Sequence, residues 1–320
     1  VLTASIALAL LALALAWPAP VALSAARWPA RSPATALLLW QSIALAGGLS
    51  MIGALLTFGL IPFGSDLVGG LVGLARVAGG AAVDNVALTH VFALAGAVLL
   101  GGHLVLNLAL TADRARRQRQ RHRRLVELLS SPVPDEPRSR MLDTATPVAY
   151  CLPGTGRSMT VFSAGLVELL SAAELRAVIE HEKAHLDQRH HLVLLAFRAW
   201  NASLPWFPIA SRARREVGLL VEMLADDRAR RVVDDQTLAT AIALVAGGTG
   251  DAAPIERDDD LMEQASPAEV TPRVRRLLAP AGPLPLTARG AVVSVAFALI
   301  GVPTVLLLAP AVTALAALSS

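Results

Sequence analysis

A single cysteine, Cys151, occurs in 320 residues, which excludes an intramolecular disulfide and leaves the redox compartment open. Aromatic residues are scarce at 4% and charged residues amount to 17%, whereas 54% of the chain is hydrophobic. Asp, Glu, Lys and Arg are absent from residues 1–24, 35–62 and 86–111, and only Arg289 interrupts 288–318. A bilayer core of about 30 Å is crossed by about 20 consecutive apolar residues in a helix, so these four blocks read as membrane helices. The first block also lacks a positive n-region, which argues against a secretory signal peptide. The small residues of "LSAA" at 23–26 keep that second reading open.

What lies between the third and fourth blocks has ordinary charge density and is long enough for one globular domain. The expected organisation is a three-helix transmembrane unit over 1–111 and a basic juxtamembrane linker over 112–146. A soluble domain over 147–287 and a C-terminal transmembrane helix over 288–320 follow. The expected fold class is mainly α: multi-pass membrane helices carrying an α+β domain.

Arginine placement sets the expected orientation. Arg27 and Arg31 follow the first block, Asp66, Arg76 and Asp84 follow the second, and "RARRQRQRHRR" at 114–124 follows the third. By the positive-inside rule the first and third loops are cytoplasmic and the second is external. The N-terminus and the C-terminal "LSS" then lie outside, and the soluble domain lies in the cytoplasm. A formal net charge of +3 and a pI near 9.9 also raise nucleic acid as a partner. A basic run directly after a membrane helix is better read as a topology determinant on anionic headgroups, so the expected partner is the lipid bilayer, without direct nucleic-acid contact.

The chemistry concentrates in "SAAELRAVIEHEKAHLDQRHHL" (171–192). Ser171 and Glu174 have capping-box spacing, and Leu175, Val178, Ile179, Ala184 and Leu186 continue at helical spacing. On that helix His181 and His185 are i and i+4, so both imidazoles project from one face and can share a metal ion. Zinc suits two neutral imidazoles and a carboxylate with a fourth position left for water. Glu182 sits beside the first ligand, where its carboxylate can reach that water as a general base. A third ligand would come from "SRARREVGLLVEMLADDRARRVV" (211–233), apolar at Val217, Leu220, Val221 and Leu224. There Glu222 can complete the site while Asp226, one turn on, accepts a hydrogen bond from a ligand imidazole. The alternative is a solvated acidic face, or a carboxylate paired with Arg228 or Arg230.

Taken in order, "GLVELLSAAELRAVIEHEKAHL", "WNASLPWFP", "EMLADDRA" and "TPRVRRLL" (271–278) resemble the cytoplasmic metallopeptidase domain of the BlaR/MecR antirepressor family, and more distantly the HtpX-type membrane proteases. The likeness covers about residues 147–280. It implies a gluzincin-type HExxH domain in which His181, His185 and Glu222 hold Zn²⁺, Glu182 is the general base and Asp226 supports a ligand. It further implies that "TVFSAGL" (160–166) is a strand whose exposed edge receives a substrate peptide. The implied partner is a cytoplasmic repressor of the BlaI/MecI kind, with the chain itself a further substrate. BlaR/MecR receptors that sense β-lactams continue into an external penicillin-binding domain. This sequence ends after the fourth block, so any signal is expected to arrive through the membrane helices, the 63–85 loop or another protein. A quality-control protease and a receptor with a purely structural zinc site are the two alternatives.

Other motifs give way to simpler readings. "LPGTG" (152–156) spells a sortase signal but sits mid-chain, and Pro153, Gly154 and Gly156 read as a turn. "GGTGD" (247–251) lacks P-loop spacing and its lysine, and with "APIERDDD" reads as a linker. The sequon at Asn201 faces the wrong compartment for glycosylation. His190 and His191 read as a helix end near the membrane surface, because a fourth protein ligand would close the site. His103 and Asn107, i and i+4 in the third block, read as a polar pair bonding between helices. The Gly-rich second and third blocks permit close helix packing and self-association.

Overall fold

The computed structural model describes residues 1–82, 86–133, 136–152, 158–205, 208–248 and 267–319. Asp84, the expected turn at 153–156 and most of the expected linker around 249–260 lie outside the described residues. The chain divides into two units, one of residues 1–107, 200–213 and 284–320, the other of 108–199 and 214–283.

The first unit is helical. It holds α1 (Leu2–Ala16), α2 (Pro18–Ala25), a short 3-10 turn at Trp28–Arg31, α3 (Pro33–Gly59), α4 (Leu67–Ala78) and α12 (Leu286–Ser319), with the first part of α5 (Leu88–Leu129). Pro18 separates α1 from α2, because a proline has no N–H to continue the ladder. Leu2–Ala25, Pro33–Gly59, Leu88–Leu129 and Leu286–Ala309 are long and apolar enough to cross a membrane. Both α1 and α12 pack on α3, where Leu8, Ala54 and Leu307 form a buried cluster. Gly53 makes that approach possible: a Cβ there would stand 3.1 Å from Leu307 and 3.3 Å from Leu8. Two buried hydroxyls in this unit bond to backbone carbonyls inside it, the arrangement that a lipid solvent favours. Ser5 Oγ donates to the Ala54 carbonyl at 3.0 Å, and Thr57 Oγ1 to that of Gly53 at 2.7 Å. His103 Nε2 lies 3.1 Å from the Ser203 carbonyl and 3.0 Å from Asn107 Nδ2, so the polar pair does reach another helix. The region expected as a plain loop at 63–85 contains α4. Its glycines hide the helical signal, but Asp66 caps it by accepting from the Gly69 N–H at 2.8 Å.

The second unit joins a small sheet to a helical cluster. The last part of α5 leads into β1 (Ser130–Val133), β2 (Glu136–Leu142), β3 (Ala149–Leu152) and β4 (Met159–Ser163). The helices are α6 (Ala164–Leu169), α7 (Ala172–Asp187), α8 (His190–Ser203, to residue 199), α9 (Pro208–Ala229, from residue 214), α10 (Asp235–Gly248) and α11 (Pro267–Leu278). Residues 112–146, read from sequence as a basic linker, thus carry the end of α5 and two strands. The sheet order is β1-β2-β4-β3. β4 runs parallel to β2 on one side and antiparallel to β3 on the other. This corrects the expectation for 160–166: both sides of β4 are occupied, β3 ends the sheet on that side among the described residues, and the chain turns helical at Ala164. The turn has a local cause. Ser163 Oγ accepts from the N–H of Leu166 and of Val148 and donates to the Thr146 carbonyl, capping α6 while fixing the connection that precedes it.

Phe162, Leu166 and Leu170 pack with Leu175, Val178, Leu244 and Val245 beneath the sheet. Ala177, Ala229, Leu238, Ala239 and Leu277 join α7, α9, α10 and α11 in a second cluster. These two clusters fix α7 relative to β3 and to α9, the elements that carry the chemical groups. Gly165 allows α6 to start against the preceding connection, since a Cβ at that position would collide with the backbone carbonyl of Ala145. Gly165→Ala is therefore expected to destabilise this unit by roughly 1–3 kcal/mol, visible as a lower thermal unfolding midpoint of the detergent-solubilised protein.

Candidate metal centre

The capping box opens α7 as its spacing predicts. The Glu174 carboxylate accepts from the Ser171 N–H at 2.8 Å, and Ser171 Oγ accepts from the Glu174 N–H at 3.4 Å. From that fixed start His181 and His185 fall on the face of α7 turned toward α9. Glu222 and Asp226, i and i+4 on α9, face back.

The structure brings together the three residues expected to hold a metal. His181 Nε2 lies 3.2 Å from Glu222 Oε2 and 3.2 Å from His185 Nε2, and His185 Nε2 lies 3.4 Å from Glu222 Oε1. Among the described residues this is the group of His, Cys, Asp and Glu side chains able to hold an ion. Ligand atoms about 2.0–2.1 Å from a tetrahedral zinc lie about 3.3 Å from one another. One ligand atom from each residue lies within 4.8 Å of the other two, so the three can approach a common ion, and the donor set of two imidazoles and one carboxylate fits zinc. Asp226 Oδ1 stands 3.0 Å from the opposite ring nitrogen of His181, Nδ1, close but not aligned as a full hydrogen bond. Asp226 is only 1% exposed, so the solvated-face alternative does not describe it.

A buried arginine, unassigned by sequence reading, organises these acids. Arg273 on α11 is 5% exposed. Its Nε and Nη2 donate to the two oxygens of Asp226 at 2.9 and 2.7 Å, and its Nη1 lies 2.9 Å from Glu222 Oε2. One turn on, Arg276 binds both oxygens of Asp227 and the Met223 carbonyl, doubling the tie between α11 and α9. The signal was in "TPRVRRLL": Arg273 is four residues before Leu277 and shares its buried face, where an arginine must have a partner.

The electrostatics follow from this packing. Burial raises Glu222, but the adjacent Arg273 and the hydrogen bond with His181 overcome it and hold the carboxyl far below its usual range. Asp226 is lowered by the same contest between burial and the Arg273 and His181 contacts. His181 is pushed down by burial, yet its contacts with Asp226 and Glu222 hold it up at about 9. Burial takes His185 to about 3 against the pull of Glu222, with His181 and His190 adding to the fall. His185 is thus neutral and Glu222 anionic at neutral pH, the states a metal needs.

Glu182, half-buried on the neighbouring face of α7, is pushed up to about 7 by burial, with His181 opposing and Glu222 reinforcing. Its carboxylate lies against the backbone N–H of Cys151 in strand β3. The Cys151 thiol is raised to about 12 by burial against its contact with Thr160, and it does not belong to the ligand group. His190 begins α8, as its helix-end reading expects. It is nonetheless 2% exposed and touches His185 rather than a surface, with its pKa lowered to about 4 chiefly by burial.

With this geometry in view, the comparisons with known proteins narrow the class. Residues 113–245 match the model of peptidase family M48, which supports a metallopeptidase of that family, typically zinc-dependent. No curated protein and no solved structure matches the chain.

Arg273 is the buried cation paired with Asp226 and Glu222, so its removal leaves their charge poorly compensated. Arg273→Met is expected to destabilise the second unit by about 3–5 kcal/mol, and Arg273→Lys to recover only part of the loss because an ammonium cannot reproduce the fork on Asp226. Denaturant unfolding of the three proteins in one detergent checks both statements.

Proposed function

We propose that the chain is a membrane-embedded zinc endopeptidase with its active site in the cytoplasm, acting as a signal-responsive antirepressor that cleaves a BlaI/MecI-like repressor. The observation that carries the catalytic part is the pairing of a three-atom ligand cluster on His181, His185 and Glu222 with a carboxylate, Glu182, raised into the neutral range beside it. A purely structural site has no use for such a base. The four apolar helices and the basic run at 114–124 support the membrane setting and the orientation.

Zinc held there would act as a Lewis acid on the scissile carbonyl and lower the pKa of a water in the open fourth position. The chain's own groups do the rest. Glu182 takes the proton of the attacking water and gives it to the departing amine, a role suited to a carboxyl with pKa near the working pH. The β3 backbone holds that carboxylate in place, and an extended substrate peptide adds along the β3 edge, which ends the sheet among the described residues. Asp226 keeps the proton of His181 on Nδ1, leaving Nε2 free to ligate. The repressor substrate rests on the resemblance of "GLVELLSAAELRAVIEHEKAHL" and "EMLADDRA" to BlaR/MecR proteins, and cleavage of the chain itself belongs to the same reading.

Two measurements test this. Glu182→Ala should keep zinc but lose cleavage about 10²–10⁴-fold. Newly formed protein N-termini in cells carrying wild type or Glu182→Ala should then differ by a repressor fragment. Broad loss of membrane-protein fragments would point to quality control, and identical profiles with equal protein abundance would leave only a binding receptor. The second measurement is pH-dependent. His181 of the metal-free protein keeps its proton up to about 9, and a ligand must lose it. Zinc affinity should therefore rise about tenfold per pH unit between about pH 6 and 8, measured by chelator competition with buffer and chelator protonation corrected. A flat profile would contradict a protonated His181 in the metal-free site.

A further inference from the structure

The two histidines of the motif are supported differently, and the second support comes from an unusual turn. Residues five apart on a continuous helix are about 140° apart around its axis, so His190 would not meet His185 if α7 simply continued. The helix stops at Asp187, and Arg189 adopts φ 51°, the one non-glycine residue with positive φ among those described. A left-handed residue with a full side chain carries a conformational cost. Here it redirects the chain so that His190, opening α8, turns back onto α7.

The result is a directed hydrogen-bond chain. His190 Nδ1 lies 3.2 Å from His185 Nδ1, and His190 Nε2 lies 3.1 Å from the Gln188 side-chain oxygen. The two rings meet edge-on, with centroids 4.9 Å apart. An amide oxygen can only accept, so His190 carries its hydrogen on Nε2 and presents a lone pair at Nδ1. That lone pair accepts from the Nδ1–H of His185. The Nε2 of His185 is then left without a hydrogen, and it is this nitrogen that faces Glu222 and His181.

We propose that His190 is a positioning residue: it fixes the tautomer and ring orientation of His185 as a metal ligand, through a Gln188–His190–His185 chain set by the left-handed turn at Arg189. The inference rests on reading the cluster as a zinc site. It assigns His185 a neutral imidazole acceptor where His181 has the carboxylate of Asp226. The second support thus orients its ligand without adding negative charge to a site that already holds Glu222 and Asp226.

The test uses the full chain in detergent and reads Zn²⁺ affinity by chelator competition, with the Co²⁺ absorption spectrum as a report on ligand geometry. Asn carries its amide oxygen at the place of the histidine Nδ1, whereas Gln carries it at the place of Nε2. His190→Ala is expected to weaken Zn²⁺ binding about 10–100-fold and to shift the Co²⁺ bands. His190→Asn should restore affinity to within about threefold of wild type, while His190→Gln should resemble Ala. Unfolding midpoints of the metal-free proteins verify that each variant is folded, and the Asn–Gln contrast remains informative if Ala is not. Equal affinity in wild type, Ala, Asn and Gln overturns the positioning role and leaves the zinc site standing, provided His185→Ala abolishes binding. Equal loss in Asn and Gln also overturns it, because the place of the acceptor then does not matter. Absence of stoichiometric Zn²⁺ in wild type itself would instead remove the zinc-site reading beneath the proposal.

Discussion

The fork of Arg273 on Asp226, extended to Glu222, is the interaction on which the rest of the second unit depends. A buried and a partly buried carboxylate on consecutive turns of α9 would repel one another and resist desolvation, and a cation inserted from α11 makes their placement tolerable. Once the pair is stable, α9 can turn its acidic face inward toward α7, and the two histidines acquire anionic partners. The candidate metal cluster is therefore assembled from three helices although its side chains come from two. Isolated pieces of α7 and α9 would lack the compensating charge.

The same logic explains how the site divides its labour. One imidazole sits between two carboxylates and is driven toward its protonated form, and the other is kept neutral by burial. Glu182, beside His181 on α7, belongs to neither pair. It is raised chiefly by desolvation, with His181 opposing and Glu222 reinforcing, so its proton affinity is tied to the groups around it. Packing beneath the sheet, through Phe162, Leu166 and Leu170, keeps the sheet and α7 at a fixed separation.

Much of this was legible in the sequence where the information is local. The capping box at Ser171 and Glu174 determines where α7 starts, and helical spacing then places His181 with His185 and Glu222 with Asp226. The four apolar blocks declare their helices by composition alone, although the first is divided at Pro18 and the third continues as α5 to Leu129, well past its apolar end. What escaped was information carried by tertiary contact. The order of the strands depends on a parallel pairing between β2 and β4 that no short pattern encodes, so β4 was taken for an edge. α4 was hidden by its glycines. The role of Arg273 has no local signature, since its partners lie about fifty positions away. His190 looked like a helix terminus because the left-handed residue before it is an arginine, a type that gives no warning of such a turn.

The hold on Glu182 comes from the main chain of β3, and this has a consequence for how the protein can vary. A peptide N–H is common to every amino acid except proline, so position 151 can exchange its side chain without surrendering the contact. The side chain of the cysteine that is unique in the chain is thus incidental to the contact with Glu182. Inheritance of the site at this point is a matter of strand geometry, and sequence comparison at position 151 would undervalue it.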